Sequence, residues 1–102
     1  MGLSVTNVPE LNRFEARDGD ELAGVAEYIR TDAGLIVFTH TEVDVAAEGK
    51  GVGSALAQHA LEFARSHDLQ VLPICPFMAG WIARHSDYAD LLYRAKPSQV
   101  TD

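Results

Sequence analysis

Cysteine is almost missing from this chain. Cys75 is the only one, so no internal disulfide forms and one chain cannot assemble a thiolate zinc cluster. A reducing cytosol is the expected compartment. Positive charge is also scarce: 8 Lys plus Arg stand against 15 Asp plus Glu, a formal net charge of -7. The basic surface that grips a phosphate backbone is lacking, which argues against nucleic acid as a partner. An acidic surface suits a cationic acceptor such as an amine or a basic peptide, and it serves solubility equally well. No apolar run approaches the roughly 20 residues of a membrane span, and no charged-then-apolar leader opens the chain. A soluble, cytoplasmic protein is expected, without a membrane partner. Gly2 to Thr6 fits the loose myristoylation pattern, which is short enough to match by chance. Internal repeats, low-complexity tracts and linkers are missing too.

What is present is enough for one modest core: 102 residues, 47% of them hydrophobic. A single domain over 1–102 is expected, with its core at about 11–92 and frayed termini, the tail beyond Tyr93 included. The residues through about Glu10 are only weakly patterned. Leu11 to Arg17 reads as a short edge strand, and Asp18-Gly19 offers turn chemistry before an extended run from Glu21 to Arg30. A second turn at Asp32 to Gly34 leads into Leu35 to Val43, whose first four residues are apolar on both faces. Such a strand belongs inside a sheet. From Gly51 to about His67 the period changes to helical, with Val52, Leu56, Ala60 and Phe63 in one stripe and Ser54, Gln58, Glu62 and Arg65 in the opposite one. Leu69 to Ile74 is a buried-type strand that follows a helix, and so runs parallel to the Leu35 strand in a βαβ crossover. Pro76 opens a second helix, which runs from Phe77 to about His85. Ser86 resembles the N-cap of a last short helix through Leu92, with Asp87 and Asp90 in its first turn. The fold class is therefore α/β in the α+β sense: a mixed sheet with antiparallel N-terminal strands, then a βαβ unit and C-terminal helices.

Between the Leu35 strand and the first long helix lies Glu48-Gly49-Lys50-Gly51-Val52-Gly53-Ser54. Three glycines let the backbone approach a ligand, the helix N-terminus supplies free N–H groups, and Lys50 adds a mobile positive charge. A phosphate group fits there physically. A Walker A loop is excluded because Gly51 rather than Ser or Thr follows Lys50, and Rossmann spacing fails because Ser54 stands where the third glycine belongs. An ordinary glycine-rich turn remains open on spacing alone.

The loop resembles the acetyl-coenzyme A loop of the GNAT N-acetyltransferases, usually written Gln/Arg-x-x-Gly-x-Gly/Ala, with Glu48 departing from the first position. HTEV before EGKGVGSALA, then PICPF, then RHSDYADLL are similar, in order, to the compact YjdJ-type branch of that family, where glutamate at this loop position is usual. The match runs from about Phe14 to Leu92. It implies a minimal GNAT-like fold whose sheet is splayed between the Leu35 and Leu69 strands, with the pantetheine arm in the opening. Thr41 and Val43 would pair with that arm, and Glu48, Gly49, Lys50, Gly51, Val52, Gly53 and Ser54 would hold the pyrophosphate. The implied cofactor is acetyl-coenzyme A and the implied acceptor an amine, on a small molecule or a basic peptide. Monomer or weak homodimer is the expected state. The chain is short for the helices that usually separate the first two GNAT strands and for a C-terminal hairpin, which implies an open acceptor site.

Acyl transfer to an amine needs a proton acceptor, oxyanion stabilisation and a proton for the departing thiolate. His40 and Glu42 are two apart on an extended strand and share a face, which suits a proton relay; a hydrogen-bonded histidine near the sheet's end is the plain alternative. Cys75 precedes Pro76 at a helix start, where the macrodipole favours thiolate, against the plain reading of a small core hydrophobe. The resemblance puts the positions of His40 and Cys75 near the acetyl group, which admits an acetyl-Cys75 intermediate beside direct amine attack. Tyr88 and Tyr93 have phenols able to protonate a thiolate but also suit packing, as does Trp81. His40-Thr41-Glu42 matches half of a zinc deaminase motif, but no second cysteine completes it. His59, His67 and His85 show no ligand spacing, so no metal is expected. A non-catalytic acyl-coenzyme A-binding or protein-interaction module is the competing reading.

Overall fold

Leu3-Ser4-Val5-Thr6 alternates apolar and polar residues, and in the computed structural model, which describes residues 2–94, this stretch forms a strand, β1 (Leu3–Val8). Leu3 and Val5 pack against the core, while Ser4 and Thr6 face outward. β1 pairs antiparallel with β2 (Arg13–Asp18), from Leu3 opposite Asp18 to Val8 opposite Arg13. The expected edge strand at Leu11 to Arg17 is thus corrected twice: it begins at Arg13, and β1 covers its outer side. Leu11 is left out because Pro9–Leu11 forms a 3₁₀ turn that Asn12 closes in the left-handed region, φ 54°, with its N–H on the Pro9 carbonyl at 3.0 Å. The tail beyond residue 94, where fraying was expected, lies outside the described residues.

β2 turns through Gly19, φ 64°, into β3 (Glu21–Arg30), and β3 turns at Gly34 into β4 (Leu35–Val43). Both latter strands keep the bounds that hydrophobic patterning predicts. β4 then leads through the glycine loop into α1 (Val52–Ser66), which crosses to β5 (Gln70–Pro73), parallel to β4. The sheet order is β1-β2-β3-β4-β5, so β4 is interior, as its two apolar faces require.

α1 lies across the sheet on a face of Val52, Leu56, Ala57, Ala60, Leu61 and Ala64, all buried. Its alanines permit close approach, and Gly24 of β3 makes the approach closest. A Cβ at Gly24 would stand 2.8 Å from the Glu42 carbonyl oxygen and 2.9 Å from Val52 Cγ1. Gly24→Ala is expected to cost about 1–3 kcal/mol through overpacking, read as a lower denaturant midpoint at constant slope. α2 (Pro76–Ala83) adds Met78, Trp81 and Ile82 to the same core. The last helix, expected as α-helical with Ser86 as its cap, is a 3₁₀ segment, Ser86–Leu91, whose N-cap is His85. Asp90 is drawn off to Arg65 at 2.9 Å instead of serving that first turn.

Two bulges decide which way the central side chains face. Ala23 is an extra residue in β3 against β2, and Thr39 is an extra residue in β4 against β3. Before Thr39, the even-numbered Ile36 and Phe38 point to the helices; after it, the odd-numbered Thr41 and Val43 do, and His40 and Glu42 turn to the opposite, helix-free face. β5 pairs with β4 only from Leu35 to Phe38. The N–H groups of Ile74 and Cys75 both close on the Phe38 carbonyl, at 3.1 and 3.0 Å, and the chain then departs into α2. Thr39 to Val43 consequently runs on with no strand on that side among the described residues.

Candidate active site

The unbacked edge of β4 points straight into the glycine loop. Asp44 Oδ1 accepts the Ala46 N–H at 3.4 Å and starts a 3₁₀ turn, Val45–Ala47. Gly49 and Gly51 follow with φ of 85° and 77°, left-handed values that Cβ-bearing residues adopt only with strain. Gly51 is the N-cap of α1 and no side chain caps the helix; its first ladder bond is Ala55 N–H to the Gly51 carbonyl at 3.0 Å. The amides of the first turn therefore lack intrahelical acceptors, at the positive end of a 15-residue helix.

Against this turn lies a groove of about 300 Å³ bounded by Val43 and the glycine loop on one side and α2 on the other. Phe77, Trp81 and Arg84 come from α2 at helical spacing, a stripe that gives no sign in the sequence of which way it faces. Phe77 rests on Gly53, where a Cβ would stand 2.7 Å from its ring. Gly53 thus makes room for the ring above it, which a side chain there would push aside, and its backbone angle does not call for glycine. Trp81 Nε1 donates to Ser54 Oγ at 3.1 Å, and its ring stacks on His85 at 3.6 Å between centroids. Ser54, expected at the phosphate, thus has its hydroxyl oxygen engaged from the α2 side. Lys50 does not reach this groove: its ammonium lies 3.9 Å from Asp18 and lines a neighbouring hollow with Glu21 and Asp44.

The candidate catalytic side chains separate into two places. His40 Nε2 and Glu42 Oε1 stand 3.3 Å apart on the helix-free face, both well exposed. Cys75, the N-cap of α2, is 4% exposed on the other side of the strand, and its Sγ donates to Thr41 Oγ1 at 3.3 Å. The thiol sits at the fork where β4 and β5 part, but it does not meet the imidazole.

Beside His40, the helix-free face has a hollow of about 320 Å³ lined by Arg13, Leu22, Val25, Glu27, Glu42 and Asp44. Cross-strand register aligns Arg13, Glu27 and His40 in one row and Glu15, Val25 and Glu42 in the next. Glu15 is 8% exposed and is held by Arg13 at 2.7 Å and Arg17 at 3.1 Å. The Arg13 hydrogen bond, with Arg17 behind it, keeps the Glu15 carboxyl below the usual carboxylate range, although burial works the other way. Glu15 offsets one of the two positive charges of Arg13 and Arg17, and the three carboxylates of Glu27, Glu42 and Asp44 outweigh the one that remains and set the sign of the hollow. Glu27 carries no signal in the sequence, because only the register of three strands brings it beside His40.

Tyr88, His59 and His67 make packing contacts away from the groove. Tyr88 donates to Glu62 at 2.7 Å, and that hydrogen bond, with burial next, raises its phenol above the usual tyrosine range. It packs on Trp81 rather than opening to the groove. His59 meets the edge of Phe14, and His67 stacks on Phe63. Among the described residues no three His, Cys, Asp or Glu side chains gather as a metal site, and no helix is long and apolar enough to cross a membrane.

A five-stranded mixed sheet that forks after a parallel pair, with a glycine turn opening the helix between the two strands, defines the class as the N-acetyltransferase fold. The family model of the GCN5-related N-acetyl-transferases matches residues 13–91, and the chain belongs to that family. The solution structure of a GCN5-like protein from Staphylococcus aureus superposes with a TM-score of 0.70 at 23% identity, over 95% of this chain and 94% of that one, and shares the fold. No curated protein is significantly similar in sequence.

Proposed function

We propose that the chain binds acetyl-coenzyme A along the unbacked edge of β4 and transfers its acetyl group to a cationic amine arriving on the helix-free face. The observation that carries this reading is the continuity of three features: the fork at Phe38–Cys75, the open backbone from Thr39 to Val43, and the uncapped glycine N-terminus of α1. Pantetheine amides pair with the backbone around Thr41 and Val43, and the pyrophosphate lies against Gly49 to Ser54. That run leaves the thioester at the fork.

Transfer then needs little machinery. The ammonium first gives up a proton to His40, directly or through water, and His40 passes it to solvent; the neutral nitrogen then attacks the thioester carbonyl, a C–N bond forms as the C–S bond breaks, and the second proton shed by the nitrogen goes to the departing coenzyme thiolate. Glu42 orients the imidazole, and Glu27, Glu42 and Asp44 draw a cation into the hollow beside it. Only a 3₁₀ turn, Pro9–Leu11, separates the first two strands, so that face stays open to a side chain presented by a larger partner. A lone buried thiol suits a reducing cytosol.

Cys75 supports a second route, through an acetyl-cysteine, because it stands at the fork. Its engagement with Thr41 and its separation from His40 favour direct attack. Mass spectrometry of protein mixed with acetyl-coenzyme A alone separates the routes: an acetyl group retained on Cys75 and discharged by added amine establishes the covalent one. The function itself is tested by coenzyme A release against a panel of diamines, lysine peptides and neutral hydroxyl acceptors. Turnover is expected with the cationic amines and should weaken as salt screens the hollow. A protein that binds acetyl-coenzyme A but releases none with any amine would instead be a non-catalytic acyl-coenzyme A-binding module.

A further inference from the structure

The glycine turn offers amides, but the cation expected there is elsewhere. Lys50 leans to Asp18, and Glu48, of the opposite sign to a useful partner, lines the groove instead. In a chain of formal net charge -7, a site for a pyrophosphate and a third phosphate needs a positive group of its own.

The contacts of α2 identify it. Phe77 on Gly53 and Trp81 on Ser54 fix which face of α2 looks at the start of α1. Arg84, three residues beyond Trp81 at the helix C-cap, continues that stripe and lines the same groove. Helical side chains lean toward the N-terminus of their own helix. Arg84 does so over Gly80, where an added Cβ would stand in ordinary contact with its Nη1, at 3.4 Å. The guanidinium is also uncommitted. Arg13, Arg17 and Arg65 are each held by a carboxylate, whereas Arg84 makes no side-chain hydrogen bond or ion pair among the described residues.

From this geometry we propose that Arg84 is the cation that holds phosphate charge at the nucleotide end of the coenzyme, working with the amides of the α1 N-terminus in place of Lys50. The inference rests on the reading that acetyl-coenzyme A occupies this groove. A guanidinium presents its donors as a planar fork that matches phosphate oxygens, which a lysine in the same place does not.

The test is calorimetric titration of acetyl-coenzyme A and of its analogue lacking the 3′-phosphate into wild type, Arg84→Ala, Arg84→Lys and Lys50→Ala, with circular dichroism to verify that each variant is folded. Arg84→Ala is expected to weaken acetyl-coenzyme A by about tenfold or more, Arg84→Lys to recover part of that, and Lys50→Ala to change it by less than about twofold. The salt dependence of binding should flatten in Arg84→Ala. An equal loss with both ligands puts Arg84 on the pyrophosphate, and a loss confined to the complete coenzyme puts it on the 3′-phosphate. Folded Arg84→Ala protein that binds within about twofold of wild type overturns the proposal while leaving the cofactor reading intact. A wild type that binds neither ligand removes both.

Discussion

Alanine at His40 is expected to lower kcat by about 100-fold or more while leaving the affinity for acetyl-coenzyme A unchanged. The separation of effects follows from the Thr39 bulge. It turns His40 to the helix-free face, while the backbone of the same strand, the glycine loop and α2 form the groove proposed for the coenzyme on the other side. The imidazole is more than half exposed and packs no core residue, so its loss removes a proton acceptor and little structure. Glu42→Gln should show a smaller fall in kcat, about tenfold, because it weakens the orientation of His40 without removing it. Single-turnover measurements at saturating acetyl-coenzyme A, paired with equilibrium binding, resolve the two quantities. A fall in affinity without a fall in kcat would move His40 out of the chemistry and into the binding of the coenzyme.

Aspartate at Gly51 is expected to weaken acetyl-coenzyme A by about 100-fold while the protein stays folded. A Cβ at this position meets no atom within 4 Å, so the main structural cost is a left-handed backbone at φ 77°, roughly 1 kcal/mol for a residue type that tolerates this region comparatively well. Its carboxylate, however, is able to cap the same amides that would hold phosphate, and it repels whatever anion approaches. Gly51→Ala is the control: similar backbone strain, no charge, and a much smaller loss of affinity. Equal losses in the two variants would mean that loop shape rather than anion recognition governs binding.

Much of this architecture is legible from residue pattern. The bounds of β3 and β4 are read correctly because each is a long apolar stretch closed by turn residues, and α1 because its stripes keep a helical period for 15 residues. The parallel pairing of β5 follows from the crossover helix. β1 is harder to see: it is short, sits just before Pro9, and its alternation gains meaning only once β2 lies beside it. The bulges at Ala23 and Thr39 have no residue signature, yet the second decides which face His40 and Glu42 occupy.

The site divides along the same line. Gly51 is recognisable because a helix start in the left-handed region calls for glycine. Gly53 looks equivalent in sequence but serves Phe77, a residue 24 positions later whose ring rests on it. Lys50 stands out in the loop as the obvious cation, and its extended side chain instead finds Asp18. Arg84 and Glu27 join the candidate site only through tertiary contacts, between α1 and α2 in one case and across β2, β3 and β4 in the other. Local pattern carries no trace of either.

The proposed seat of acetyl-coenzyme A is the groove between the glycine loop and α2. Thermal unfolding of the wild-type protein with and without the ligand tests it most directly, because a ligand that prefers the native state must raise the midpoint. At a ligand concentration about 100 times the Kd the native state gains about 2.7 kcal/mol, enough to move the Tm of a domain this size by more than about 10 °C. This seat requires such a rise in wild type and its near disappearance in Gly51→Asp. An unchanged Tm in wild type at millimolar acetyl-coenzyme A, or a rise that Gly51→Asp retains in full, would contradict it.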